Sequence, residues 1–309
     1  MEGFDDQRDR FLGCLLGLAV GDAVGTTVEF FPRGAFSPLT DMVGGGPFKL
    51  KPGQWTDDTS MALCLATSLL EPDGFDARDQ MERYLNWRDN GYLSSTGICF
   101  DIGNTVNQAL ERFRQTGEPL AGSSDPYSAG NGCIMRLAPI PMFYYADLNA
   151  AEHYAAESSR TTHGAPECLD ACRLFARIIM RALQGKTKDE ILLGDKESFR
   201  GAPKIIALAQ GKYIGKTSEE IRSSGYVIDS LEAALWSFQT SGTFAEAILT
   251  AANLGDDADT TAAVCGQVAG AFYGYSGIPK GWVELLALRV EIIGLAEALF
   301  RRINPPNLR

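Results

Sequence analysis

The chain has 309 residues, 45% of them hydrophobic, and sets 39 Asp and Glu against 28 Lys and Arg for a formal charge of −11. That balance argues against nucleic acid or anionic lipid as a partner, since both need basic patches, so an anionic ligand has to be held locally. The apolar content suffices for one large core, and a single domain over residues 1–309 is expected.

Asp5, Asp6 and Asp9 stand where a secretory leader needs a basic start, and the apolar run behind them meets Asp22 too soon to span a bilayer. No integral membrane association is expected. Gly13, Gly17, Gly21 and Gly25 recur at every fourth residue, so on a helix they form a bare stripe against which a second helix can pack closely. Helical patterns follow at 61–70, 78–88, 105–114, 150–158, 167–183, 230–238, 244–252, 260–273 and 282–303, the last ending before Pro305-Pro306. Strand-like alternation is scarce, and the fold class is read as all-α, a compact bundle of many helices. Gly- and Pro-rich connections at 31–53 and 117–132 are suited to lining a cleft. Seven cysteines, an odd number with no Cys-x-x-Cys pair, fit a reducing cytoplasm, and Cys168 and Cys172, one helical turn apart, read as packing.

Two acidic clusters carry the chemistry. Trp55-Thr56-Asp57-Asp58-Thr59-Ser60 and Gly255-Asp256-Asp257-Ala258-Asp259-Thr260-Thr261 each open into a helical pattern, and neither contains a Lys or Arg. One such cluster alone reads as a helix cap. Two clusters together hold more carboxylate than a helix dipole of about half a charge can balance, so cations are expected between them if the fold brings them together. Asp57, Asp58, Asp257 and Asp259 with the hydroxyls of Thr56 and Thr260 form an oxygen-only set suited to Mg²⁺ or Mn²⁺, and two such ions would account for so many acids. An EF-hand does not fit, because counting from Asp257 its glycine and glutamate positions are Ala262 and Val268. Asp257-Ala258-Asp259-Thr260-Thr261 also spells an Asp-x-Asp-x-Thr motif of phosphatases, which belongs after a buried strand, and residues 251–255 make a poor one.

Beyond these clusters the chain resembles the ADP-ribosylglycohydrolase family, in particular its bacterial dinitrogenase-reductase-activating branch. The resemblance rests on residues 17–25 with Glu29, Thr56-Asp57-Asp58, Phe100-Asp101-Ile102-Gly103-Asn104-Thr105, Gly130-Asn131-Gly132 through Met135-Arg136, Thr162-His163, Gly225-Tyr226-Val227 through Trp236, and Asp257-Ala258-Asp259-Thr260, in family order. It implies a compact orthogonal all-α bundle around a central two-metal cleft. It also implies hydrolysis of the bond joining ADP-ribose to a protein side chain, arginine in the closest relatives, by an activated water. The ADP-ribosylated protein is then the substrate and ADP-ribose the product.

Carried over by position, the resemblance makes Thr56, Asp57, Asp58, Asp257, Asp259 and Thr260 the ligands of two divalent cations, Mg²⁺ or Mn²⁺, with Asp256 behind them. Asp58, Asp101 and Glu29 become the catalytic acids, with proton transfer open between Asp101 and Glu29. Asp101, Asn104, Asn131, Gly132, His163 and Tyr226 become the substrate pocket, with Arg136 a source of charge for the diphosphate. Each also has an ordinary reading: Asp101 as a cap of the helix through Arg114, Gly130-Asn131-Gly132 as an αL turn, His163 as a satisfied polar residue and Tyr226 as core. A non-catalytic ADP-ribose-binding module of the same fold is the rival in a different class.

Overall fold

The computed structural model describes residues 4–304, over which the chain forms fourteen α-helices, short 3₁₀ turns and no strand. Pro305-Pro306 lies outside the described residues. The helices are α1 (Phe4–Gly25), α2 (Asp57–Leu69), α3 (Ala77–Asn90), α4 (Asn104–Thr116), α5 (Pro139–Phe143), α6 (Leu148–Thr162) and α7 (Pro166–Leu183) in the first part. They continue as α8 (Lys188–Leu193), α9 (Pro203–Ala209), α10 (Val227–Thr240), α11 (Phe244–Ala252), α12 (Ala258–Tyr273), α13 (Lys280–Leu285) and α14 (Arg289–Ile303).

Two helices form the axis of the molecule because their central turns are apolar or small on nearly every face, the buried Asp22, Asp259 and Gln267 apart. From Phe11 to Val24 in α1, and from Ala258 to Ala271 in α12, the residues are buried throughout. The expected glycine stripe is the seam between them. A Cβ on Gly13 would lie 2.2 Å from the Gly270 carbonyl oxygen, one on Gly21 2.1 Å from that of Ala262, and one on Gly25 2.5 Å from the Cα of Asp259. Only bare backbone permits that approach. Helices α7, α10, α11 and α14 pack around this pair and close one hydrophobic core. Helix α7 shows the amphipathic counterpart, with Phe175, Ile178 and Ile179 inward while Arg177 on its outer side reaches Glu152 at 2.6 Å and Asp195 at 2.8 Å.

The pattern read as one helix over 282–303 divides in two, with Leu288 between α13 and α14 in the left-handed region at φ 50°. The break has a tertiary cause: Ala287 donates its N–H to the Gly53 carbonyl at 2.9 Å, and its own carbonyl accepts from the Trp55 indole at 3.1 Å. These bonds anchor the segment that delivers Thr56 to the start of α2, which a continuous helix would not do. The short helices α5, α8 and α9 span one to two turns, too few for a period to show in the sequence.

Candidate active site at the meeting of α1, α2 and α12

Asp22 organises the floor of the site. Its carboxylate, fully buried on α1, accepts the backbone N–H of Thr56 at 2.8 Å and of Thr59 at 3.0 Å, and the hydroxyl of Thr59 at 2.6 Å. The Thr56 hydroxyl lies 2.9 Å from the same carboxylate. The N-terminus of α2 is therefore capped by Asp22, and the Thr56 side chain makes no cap bond, which leaves the ordinary cap reading of this cluster without support. Sequence reading passed over Asp22 as the residue that interrupts an apolar run. The usable signal was that a lone acid inside an otherwise buried helix must have partners.

Around this floor the carboxylates fall into two overlapping groups. Oxygens of Asp22, Asp58 and Asp259 lie within 4.8 Å of one another, as do those of Glu29, Asp101 and Asp259. Asp259 belongs to both. The two acidic clusters, about two hundred residues apart in sequence, do converge: Thr56 Oγ1 lies 3.1 Å from Asp259 and 3.3 Å from Asp58, and Thr260 donates its hydroxyl to Asp58 at 3.4 Å. Asp57 and Asp257 line the same cleft but stand outside both groups. Asp256 is exposed, not behind the ligands; its backbone, at φ 53°, exchanges hydrogen bonds with Phe30 and Phe31. Asp101, also left-handed at φ 59°, does not cap α4, whose N-cap is Gly103.

The residues fit a divalent-cation site. Asp58 Oδ1 and Asp259 Oδ1 are buried with no hydrogen-bond partner, an arrangement that costs free energy unless something positive satisfies them. Burial and then mutual repulsion hold Asp57, Asp58 and Asp259 well above the usual carboxylate range. Burial pushes Glu29 up to about 10, with Asp101 the next cause, and Asp101 to about 7. Asp22 rises to about 6 by burial, against the pull of its threonine donors. The donors are all oxygen, as hard cations require.

A cavity of about 320 Å³ opens above the acids, and Asn104, Asn131 and Gly132 line it. Asn131 is already engaged, its amide donating to Asp257 at 2.8 Å and to Ser230 at 3.2 Å. The chain belongs to the ADP-ribosylglycohydrolase family. Its family model matches residues 4–308. The ADP-ribosylarginine hydrolase Tri1 of Pseudomonas putida (strain GB-1) is 49% identical over 95% of this chain and 78% of that protein. The ADP-ribosyl-[dinitrogen reductase] glycohydrolase of Rhodospirillum rubrum is 34% identical over 92% of each. A solved structure described as an ADP-ribosylglycohydrolase-related protein complex superposes with a TM-score of 0.86 at 43% identity, covering 96% of this chain and 99% of that one. The chain is thus more similar to the arginine hydrolase than to the dinitrogenase-reductase branch, a correction to the finer resemblance. The phosphatase reading falls as well: Ala251 and Ala252 close a helix, where that chemistry needs a strand.

Two residues that the family resemblance placed in the pocket, His163 and Arg136, sit behind its wall, and a third, Tyr226, lines the adjoining cavity. His163 is buried and lines neither this cavity nor its neighbour. Its Nδ1 meets the Thr162 hydroxyl at 2.8 Å, and its ring lies under the turn, where a Cβ on Gly132 would approach Cε1 to 2.7 Å. That turn is a 3₁₀ turn over Asn131–Cys133 with Gly130 at φ −77°, not an αL turn, so Gly132 is needed for closeness to His163. Burial lowers His163 to about 4, and the ring is neutral. Arg136 is fully buried as well: it donates to the Gly132 carbonyl at 2.7 Å and to Thr162 at 2.7 Å, with its guanidinium 5.0 Å from the Tyr84 ring centre. Arg136 and His163 together brace the cleft wall from behind. Tyr226 lines an adjoining cavity of about 660 Å³ with Glu167 and Lys204, neither of which the sequence singled out. Its hydroxyl donates to Glu167 and accepts from Lys204 at 2.8 Å.

Proposed function

We propose that this protein is a divalent-cation-dependent hydrolase that removes ADP-ribose from modified arginine side chains of proteins. The observation that carries the reading is the convergence of Asp22, Asp58 and Asp259 with Glu29 and Asp101 at the base of one cleft, two of their oxygens buried and unpartnered. Similarity over 95% of the chain to an ADP-ribosylarginine hydrolase supports the choice of linkage. Thr56, Asp58, Asp259 and Thr260 would hold the cations, Mg²⁺ or Mn²⁺, with Asp57 and Asp257 on the cleft wall beside them. When bound, such ions supply Lewis acidity and an anchor for the ribose hydroxyls.

The chain's own groups then do the rest. Asn131 fixes the Asp257 carboxylate by its 2.8 Å bond, and Arg136 fixes the Gly132 carbonyl, so the wall facing the sugar is rigid. Negative charge close to the ribose ring stabilises the oxocarbenium-like state of glycoside cleavage. Guanidine is a poor leaving group unless it departs protonated, so it either retains the arginine proton or receives one from a nearby acid. Glu29 and Asp101 share one corner beside Asp259, within reach of one another, so this pair supplies the acid that passes a proton to the leaving nitrogen and the base that takes one from the attacking water. A cytoplasmic location and a single domain over the whole chain form part of this proposal.

The test is release of ADP-ribose from an ADP-ribosylarginine peptide with Mg²⁺ or Mn²⁺ present. Multiple turnovers by the unmodified protein, lost in Asp259→Asn, are expected. ADP-ribose binding without any release would instead favour the non-catalytic module.

A further inference from the structure

Phe30 is an unusual residue for its position. It lines the cleft beside Glu29 and Asp101, yet its side chain is 64% exposed. Its backbone is left-handed at φ 65°, a conformation unfavourable for a bulky residue that persists only where the surroundings impose it. Here they do: Phe30 donates its N–H to the Asp256 carbonyl at 2.7 Å, and Asp256 returns a bond to Phe31 at 2.8 Å, tying Phe30 to the loop that carries Asp257. A second constraint comes from a tight loop closed by mutual Gly45–Leu50 hydrogen bonds of 2.7 and 2.9 Å, which presents Phe48 to Phe30 in a T-shaped contact at 6.4 Å. Phe48 in turn meets Phe100 at 5.2 Å. An exposed aromatic ring is thus held, against its backbone preference, between the acids and the open end of the cleft.

An aromatic face next to carboxylates is a seat for a planar cation, and guanidinium is the protein group that stacks there best because it is flat and weakly hydrated. We infer that Phe30 is a specificity-determining residue that holds the guanidinium of the modified arginine against its ring at the mouth of the cleft. This rests on the arginine-linkage reading of the site and adds how the linkage is recognised. A hydroxyl-linked ADP-ribose presents neither plane nor charge and gains nothing from the ring.

The experiment compares wild type, Phe30→Leu and Phe30→Trp on an ADP-ribosylarginine peptide with Mn²⁺, alongside calorimetric binding of free ADP-ribose, which lacks the guanidinium. Phe30→Leu is expected to lower kcat/KM about tenfold, mainly through KM, with ADP-ribose affinity within twofold of wild type, while Phe30→Trp retains or improves turnover. Unchanged kcat/KM in Phe30→Leu, or an equal loss in Phe30→Trp, overturns the inference while leaving the proposed function standing. A wild type that does not cleave the arginine linkage overturns both. Thermal melts and the ADP-ribose titration report directly on whether each variant is folded.

Discussion

Gly17 and Gly266 each occupy the space the other's side chain would need: a Cβ on Gly17 would lie 2.2 Å from the Gly266 carbonyl oxygen, and one on Gly266 2.0 Å from that of Gly17. This reciprocal contact sets the separation of α1 and α12, and with it the distance from Asp22 on one helix to Asp259 on the other. Packing and chemistry are coupled at this seam. The carboxylates meet because the backbones do.

Gly266→Ala forces the two helices apart and is expected to lower unfolding free energy by about 3 kcal/mol through overpacking, and to weaken Mn²⁺ binding as well. Gly294→Ala, on an exposed face of α14 where an added Cβ meets nothing within 4 Å, is expected to stabilise by roughly 0.5–1 kcal/mol. Urea titrations of both variants check the pair. Equal effects would remove the argument that close approach, not glycine content, matters.

Asp22→Asn replaces one of the two acceptor oxygens by an NH2 group that cannot accept, so the bonds from either Thr56 or Thr59 at the start of α2 are lost. The protein is expected to stay helical by circular dichroism but to bind Mn²⁺ about 10- to 100-fold more weakly, since Asp22 both bonds Thr56 and stands among the acids. Calorimetry measures the constant. Affinity equal to wild type would show that the α2 terminus holds its place without Asp22.

Stripping the cations exposes the cost of the clustered acids. Glu29 and Asp101 have folded pKa values of about 10 and about 7, above their unfolded values, so each contributes stability that is complete below about pH 4 and is lost as pH rises through its folded pKa. Melting temperature of the chelator-treated protein is therefore expected to fall from pH 6.5 to pH 9. With saturating Mg²⁺ the fall should be largely suppressed, because the ions neutralise the same carboxylates. Parallel melting curves with and without Mg²⁺ would contradict the account.

His163 acts with the opposite sign. Its folded pKa of about 4 lies below the ordinary 6.5, so it contributes stability that is present above pH 6.5 and is lost as pH falls toward 4, by a total on the order of 3 kcal/mol. His163→Gln is expected to destabilise at pH 7 but to flatten the acid-side slope of stability. Denaturant titrations between pH 7 and pH 4.5 read that slope, and an unchanged slope would place the acid sensitivity in another group.

The sequence made the axis and much of the site legible for physical reasons. A period-four glycine stripe has few uses besides helix contact, and two acid clusters without basic residues imply cations once the fold brings them together. What stayed hidden depends on contacts between distant segments. Nothing in the pattern over 282–303 marks the break at Leu288, which the bonds of Ala287 to Gly53 and Trp55 impose. Asp22 looked like an interruption because its partners lie 34 and 37 residues away. His163 and Arg136 carry the residue types of a binding pocket but brace its wall from behind, a distinction that burial draws and motif spacing does not.

The most direct measurement is a crystal soaked in Mn²⁺ and examined at the manganese absorption edge. The account predicts two anomalous peaks at the base of the cleft among Thr56, Asp58, Asp259 and Thr260, with Asp259 touching both. A well-ordered cleft with those side chains in place and no manganese among them would contradict it.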